Sequence, residues 1–303
     1  MKYSIITINY NNRDGLRNTI ESIINQSYKD YEFIVIDGGS TDGSVDIINE
    51  YKDRITYWVS EKDNGIYHAM NKGVKAAHGE YLSFINSGDM LYNEHVLEDC
   101  LPYLKWDIVH GFAENINTPV ATLCLIKIPG KKDPFSPTLH HQACLFKKEL
   151  FDNEQYDESY KIVSDWKFYI EQILFYNCSF YRMPVKIAMC EGEGVSEKGK
   201  ALGIKERISV LKEITTRLKK NDLYEINKDL MHHLMFTCKQ GLLIDKNIRD
   251  IDCYIHTFPE ANNYYKYYPF TIKQRILFFL ARYKMTRILK ALTKLQKINR
   301  TRT

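Results

Sequence analysis

A chain of 303 residues with 44% hydrophobic side chains has room for one large domain and an appendage, or for two domains, and enough apolar mass for a substantial core. Its net charge of +4 is uneven: after Glu260 there are eleven Lys and Arg and no Asp or Glu, so residues 1–260 hold 31 basic and 38 acidic groups, a net of −7. A uniformly basic nucleic-acid binder does not divide its charge this way, so no nucleic-acid partner is expected, and seven scattered cysteines without a Cys-x-x-Cys pair fit free thiols in a reducing cytoplasm better than a disulfide framework or a zinc site.

Met1-Lys2-Tyr3 leads straight into a strand-like run, read as no signal peptide, and no apolar stretch is long enough to span a bilayer. Tyr3 to Asn9, rich in β-branched residues, predicts the first strand. After the turn Tyr10 to Gly15, helical spacing of Leu16, Ile20, Ile23 and Ile24 predicts a helix. That turn lacks the Gly-x-Gly-x-x-Gly spacing of a dinucleotide site. Glu32 to Asp37 is the second strand and runs into Gly38-Gly39-Ser40-Thr41-Asp42-Gly43, with a helix from Ser44. Ile55 to Ser60, a helix of about 65–77 and a strand of 80–86 complete a β-α-β-α-β-α-β series, which implies a parallel sheet with right-handed crossovers.

The fourth strand ends in the turn formers Asn86-Ser87-Gly88-Asp89. A carboxylate where a buried strand runs out lies at the carboxyl edge of the sheet, where open α/β sheets bind ligands. The helix beginning near Asp63-Asn64-Gly65 offers free amides near the same edge. Amides and one hard carboxylate suit a phosphate-bearing ligand held with a divalent cation. Beyond Leu91 the pattern predicts a helix near 94–104, strands near 107–113 and 120–128, and a long Pro-rich loop to Pro137. A return to strand over His140 to Phe146, an acidic loop over Phe151 to Tyr160, a helix from Ser164 to about Tyr176 and strand-like residues to Met189 follow. Residues 198–303 read as helices.

Ser60 to Tyr67, Ala69-Met70-Asn71-Lys72-Gly73 and Asn86-Ser87-Gly88-Asp89, in that order, resemble family 2 glycosyltransferases of the GT-A fold, closest to the bacterial enzymes of exopolysaccharide, capsule and lipopolysaccharide assembly. The likeness covers about residues 1–195. It implies an α/β, Rossmann-like, mainly parallel sheet flanked by helices, with a nucleotide-sugar half over about 1–90, an acceptor half over about 91–195, and a helical C-terminal region, 196–303.

The resemblance places Thr7, Asn9, Asp37, Asp63, Tyr67, Asn71, Lys72, Ser87, Gly88, His141 and Gln142 around the sugar nucleotide, Asp89 on Mg²⁺ or Mn²⁺, and Asp165 as the catalytic base. Asp37 would meet the base or ribose; its plain alternative is a turn former. Asp89 matches the second acid of the family's Asp-x-Asp signature, while Ser87 stands where the first belongs. One carboxylate holds such a cation only if diphosphate oxygens and waters complete the shell. Lys72 meets a phosphate or is a solvated helix lysine, and His68 stands where relatives often carry an acid. Histidines are often structural, and His140 and His141 on a strand would point opposite ways. Ser164 or Asp165 also suits a helix N-cap.

The implied reaction is inverting transfer of a sugar from a nucleoside diphosphate, a UDP-sugar foremost, to a hydroxyl of a glycan or lipid-linked glycan. A sugar-nucleotide nucleotidyltransferase would carry a Gly-rich loop where Tyr10 to Asp14 stand. A non-catalytic sugar-nucleotide-binding relative would not need Asp37, Asp89 and Asp165 together. Finally, within the stretch 271–297, from Arg275 to Lys297 apolar residues (Leu277, Phe278, Ala281, Met285, Ile288, Leu289, Leu292, Leu295) share one helical face and basic residues the other, with only Ile276, Phe279, Leu280 and Tyr283 placing apolar bulk on the basic side. Such a helix suits the surface of an anionic cytoplasmic leaflet; the alternative is packing on the catalytic domain or on a second copy in a homodimer.

Overall fold

A computed structural model describes residues 1–115, 140–191, 194, 199–227, 230, 231, 234 and 235. The strand expected near 120–128, the Pro-rich loop and the basic stretch 271–297 lie outside the described residues. The described part falls into two units that meet in sequence at Gly199.

In the first unit, β1 (Tyr3–Asn9), β2 (Tyr31–Asp37), β3 (Tyr57–Ser60) and β4 (Tyr81–Phe84) run parallel in the order β3-β2-β1-β4. Every residue of β1 and β4 is buried, as a strand covered on both faces requires. The helices between them are α1 (Arg13–Ile24), α2 (Ser44–Glu50) and α3 (Ile66–Ala76), close to the predicted bounds. One core cluster joins Tyr3, Ile5, Phe33, Val35, Tyr81 and Ile85 to Leu16, Ile20 and Ile23 of α1 and Ile47 and Ile48 of α2. The alternate residues meet the other layer, where Gly73 of α3 lies so close to Ile6 that any side chain there would collide.

The sheet continues as β7-β6-β8-β5, where β5 (Met90–Leu91), β6 (Ile108–Asn115), β7 (Cys144–Lys147) and β8 (Phe180–Cys190) mix parallel and antiparallel pairings. The sheet is therefore wholly parallel only in its first half; in the second, β6–β8 is parallel while β4–β7, β6–β7 and β5–β8 are antiparallel. The predicted helix near 94–104 is α4 (Val96–Cys100) followed by a 3-10 turn at Leu101–Tyr103, because Pro102 lacks the N–H that would continue it. The expected acidic loop begins with α5 (Leu150–Asn153), whose Phe151 stacks on Phe168 of α6 (Ser164–Phe175) with ring centroids 4.4 Å apart. In the second unit, α7 (Lys200–Lys220) buries Val210, Leu211, Ile214 and Leu218. Among the described residues no helix is long and apolar enough to cross a membrane.

At the amino edge of the sheet, Glu32 is 2% exposed. Its carboxylate accepts from Ser4 Oγ at 2.6 Å, from the His78 backbone N–H and from the Gly79 N–H at 3.0 Å, clamping the turn that leads from α3 into β4. Burial alone would raise its pKa, but the donors from Ser4, His78 and Gly79 outweigh burial and lower it. A carboxylate with a lowered folded-state pKa contributes its stability above the unfolded value and loses it as pH falls through the folded one. Glu32→Ala leaves Ser4 Oγ and the His78 N–H without this acceptor, while Gly79 N keeps Ser4 Oγ at 2.8 Å, and is expected to cost roughly 2–4 kcal/mol at pH 7. Urea unfolding should show a lower midpoint for the variant and a gap to wild type that narrows in acid; equal midpoints at pH 7 would refute the clamp.

Candidate active site

The carboxyl ends of three strands meet in register, with Asn9 opposite Asp37 and Asp37 opposite Ser60. Asp37 is fully buried and accepts five hydrogen bonds: Asn9 Nδ2 at 2.7 Å, Ser40 Oγ and Ser60 Oγ at 2.6 Å, Ser40 N at 2.9 Å and Gly39 N at 3.2 Å. Burial pushes its pKa up, and the donors, Ser40 and Ser60 first, more than reverse this. The carboxylate is thus ionised and saturated. It holds the 38–40 loop to three strand ends; a direct bond to a nucleotide needs one serine hydroxyl to rotate away.

Asp63 closes the same edge. Its Oδ1 pairs with Lys72 at 2.7 Å and His68 Nδ1 at 2.9 Å. Its Oδ2 is buried without a partner among the described residues, 3.4 Å from where a side chain on Gly38 would begin, and the ring of Tyr10, 70% exposed, borders the same point. Lys72 also pairs with Glu61 at 2.8 Å, so its ammonium is held between two carboxylates. Asn71 is 3% exposed and spends its amide on the loop before α6: Nδ2 donates to Tyr156 O and Glu158 Oε1, both at 2.9 Å, and Oδ1 accepts from Tyr156 N at 3.1 Å. Thr7 lies inside the sheet, donating to Ile85 O at 2.7 Å.

Past β4 the chain makes the turn that carries Asp89. Gly88 has φ +98°, a conformation that favours glycine, and Glu191 sits where its side chain would be. Thr19 of α1 holds the turn, accepting from Gly88 N at 3.1 Å and donating to Asp89 O at 2.6 Å. Ser87 Oγ donates to Asn12 O at 3.1 Å, so this hydroxyl straps the β1–α1 loop. Asp89 is 8% exposed and accepts from Gln142 Nε2 at 3.0 Å and from Glu191 N at 3.3 Å. Burial raises its pKa above the carboxylate norm, the Gln142 bond opposing. Among the described residues no Lys or Arg pairs with it. A buried carboxylate without a Lys or Arg partner could hold a divalent cation if the remaining ligands were supplied from outside the chain.

His141 and Gln142 are not on a strand: His141–Ala143 form a 3-10 turn ahead of β7. The turn closes on the His140 carbonyl, which takes Ala143 N at 2.9 Å and Cys144 Sγ at 3.3 Å. Because β7 runs antiparallel to β4, the residues preceding it arrive beside the Asp89 turn. Gln142 reaches Asp89, and His141 Nδ1 lies 2.8 Å from Asp165 Oδ2. Asp165 is the second residue of α6 and not its N-cap, which is Val163. Its Oδ1 accepts from Tyr67 Oη and from Trp166 N, both at 2.9 Å. Burial would raise its pKa, but His141, Tyr67 and Trp166 lower it, so it stands ionised at neutral pH.

Two carboxylates, Asp89 and Asp165, are thereby joined through two consecutive residues at one edge of the sheet. Sequence reasoning missed Asn86, whose Nδ2 meets His141 Nε2 at 3.0 Å, and Tyr10. Asn86 reads as a turn former, and nothing local signals a partner 55 residues on.

The glycosyl transferase family 2 model matches residues 4–122. An uncharacterized glycosyltransferase of Mycobacterium tuberculosis is 31% identical over 184 residues, covering 56% of this chain and 68% of that protein. The putative teichuronic acid biosynthesis glycosyltransferase TuaG of Bacillus subtilis is 38% identical over 89 residues, 28% of this chain and 35% of that one. The crystal structure of S. aureus TarS residues 1–349 with UDP-GlcNAc shares the fold, with TM-score 0.70 at 19% identity over 94% of this chain and 88% of that chain. The chain belongs to glycosyltransferase family 2, and its mixed sheet with flanking helices is the GT-A fold.

Proposed function

We propose that this glycosyltransferase moves a sugar from a UDP-sugar, with inversion, to a hydroxyl of a glycan or lipid-linked glycan in bacterial surface polysaccharide synthesis. The observation that carries the reading is the His141-Gln142 turn, which holds Asp165 with one residue and Asp89 with the next. Asp165 takes the proton of the acceptor hydroxyl as that oxygen bonds the anomeric carbon, and the carbon–oxygen bond to the diphosphate breaks with its electron pair leaving on the diphosphate. One displacement inverts the centre. Asp89 would hold Mg²⁺ or Mn²⁺, which offsets charge on the leaving diphosphate. Asp63 Oδ2, without a partner among the described residues and bordering Gly38 with Tyr10, suits a flat base that carries an N–H, such as uracil. The teichuronic acid and UDP-GlcNAc of its relatives agree with this substrate class.

Incubation with UDP-, GDP- and dTDP-sugars tests the reading: a thermal shift and slow hydrolysis are expected with UDP-sugars and Mn²⁺, and no response to any of them would end it. Release of pyrophosphate from a nucleoside triphosphate and a sugar phosphate would instead mark a nucleotidyltransferase.

The acid-free stretch 271–297 supports a reversible anchor on an anionic leaflet, each Lys or Arg there being worth about 1 kcal/mol. The full chain is expected to sediment with anionic vesicles at low salt and to be released by high salt. Truncation before Thr271 should abolish vesicle binding and leave hydrolysis intact. A full chain that ignores such vesicles would make this stretch a packing element or a dimer contact.

A further inference from the structure

The His141 ring lies between two polar groups. Nδ1 is 2.8 Å from Asp165 Oδ2, and Nε2 is 3.0 Å from Asn86 Nδ2. An amide nitrogen only donates, so it needs a lone pair on Nε2. The ring proton then sits on Nδ1 and points at the carboxylate. Asn86 Oδ1 is buried with no partner among the described residues. Turning the amide over would orphan Nδ2 in its place, so the count of unmet groups does not choose between the orientations. The ring does: with Oδ1 facing Nε2 the proton belongs on Nε2, and a neutral ring would turn its Nδ1 lone pair against the Asp165 carboxylate.

The consequence falls on the acid. Asp165 Oδ1 already takes Tyr67 Oη and Trp166 N, which fills its two lone-pair sites. Among the described residues Oδ2 takes His141 alone, which leaves one site for an incoming hydroxyl. We propose that Asn86 and His141 are positioning residues: the Asp165 carboxylate keeps the ring proton on Nδ1, Asn86 anchors the bare Nε2 so that the ring cannot turn, and His141 in turn holds Asp165 so that Oδ2 is the oxygen that receives the acceptor's proton. This rests on Asp165 being the base. Both residues come from elements that only the sheet brings together, the end of β4 and the turn before β7.

The test is ¹⁵N NMR of the full-length protein labelled at histidine, with His141 assigned by its loss in His141→Gln. Wild type is expected to show a protonated Nδ1 and a bare Nε2 at neutral pH. A protonated Nε2 in wild type, on a neutral or a doubly protonated ring, overturns the proposal. Asn86→Leu should leave the proton on Nδ1 against Asp165 but shift and broaden the Nε2 signal as the ring loses its second anchor, and Asn86→Asp, nearly the same shape but an acceptor only, should draw a proton to Nε2; a ring unchanged by both substitutions also overturns it. In steady state Asn86→Leu should lower kcat by roughly 10–100-fold, the range for residues that orient a working group, with KM for the donor within about twofold. Unchanged kcat, or a loss confined to KM, counts against it. The ring signals report the Asn86 contact whatever the role of Asp165. An inactive Asp165→Asn variant with an unresponsive ring removes this inference alone, whereas an active Asp165→Asn variant removes the base and the inference with it.

Discussion

Asp165→Asn is expected to lower transfer by roughly 10²–10⁴-fold, the range for loss of a general base. The substitution keeps the shape of the side chain. Its carbonyl oxygen can retain the two donors that converge on Oδ1, Tyr67 Oη and Trp166 N, so α6 and the aromatic packing of Tyr67 on Tyr156 should survive. The lost property is proton acceptance: an amide cannot take the hydroxyl proton, and its NH₂ would face His141. Nucleotide affinity by calorimetry should change little, because the residues around Asp37 and Asp63 do not touch this acid in the described contacts. The fall should appear in kcat. Near-normal transfer would sink the assignment.

Asp89→Ala is expected to abolish the metal-dependent part of nucleotide affinity. Residues that merely support a metal ligand cost 10–100-fold in affinity when changed, so loss of the ligand itself should raise the apparent Kd for UDP in Mn²⁺ by on the order of 10²-fold, to the value wild type shows in EDTA. The raised pKa of Asp89, caused first by burial, adds a pH signature. Metal-supported binding by wild type should weaken in mild acid earlier than for an ordinary carboxylate, since the protonated form cannot bind a cation. Calorimetry at several pH values, with Mn²⁺ and with EDTA, reads both effects. If wild type binds and turns over equally well in EDTA, Asp89 does not act through a metal.

What the sequence determined by itself is the first half of the sheet and the position of its acids. The strands and helices up to about residue 86 announce themselves through local periodicity, and Asp37 and Asp89 stand where buried strands run into turn formers, which puts them on the ligand edge without any tertiary knowledge. Asp165 could be placed only through its resemblance to a family motif. The tertiary structure decided how each of these acids is used. Asp37 is saturated because Asn9 and Ser60, 28 and 23 residues away, end their strands beside it. Lys72 is tied to Asp63, and Asn71 to Tyr156, 85 residues on. His141 and Gln142 read as a strand because their neighbours are β-prone, yet they turn, and the antiparallel arrival of β7 beside β4 sets them between Asp89 and Asp165. Periodicity records which face of an element is buried; a hydrogen bond between side chains distant in the chain leaves no periodic trace, so these pairings exist only once the sheet has set its strand ends side by side.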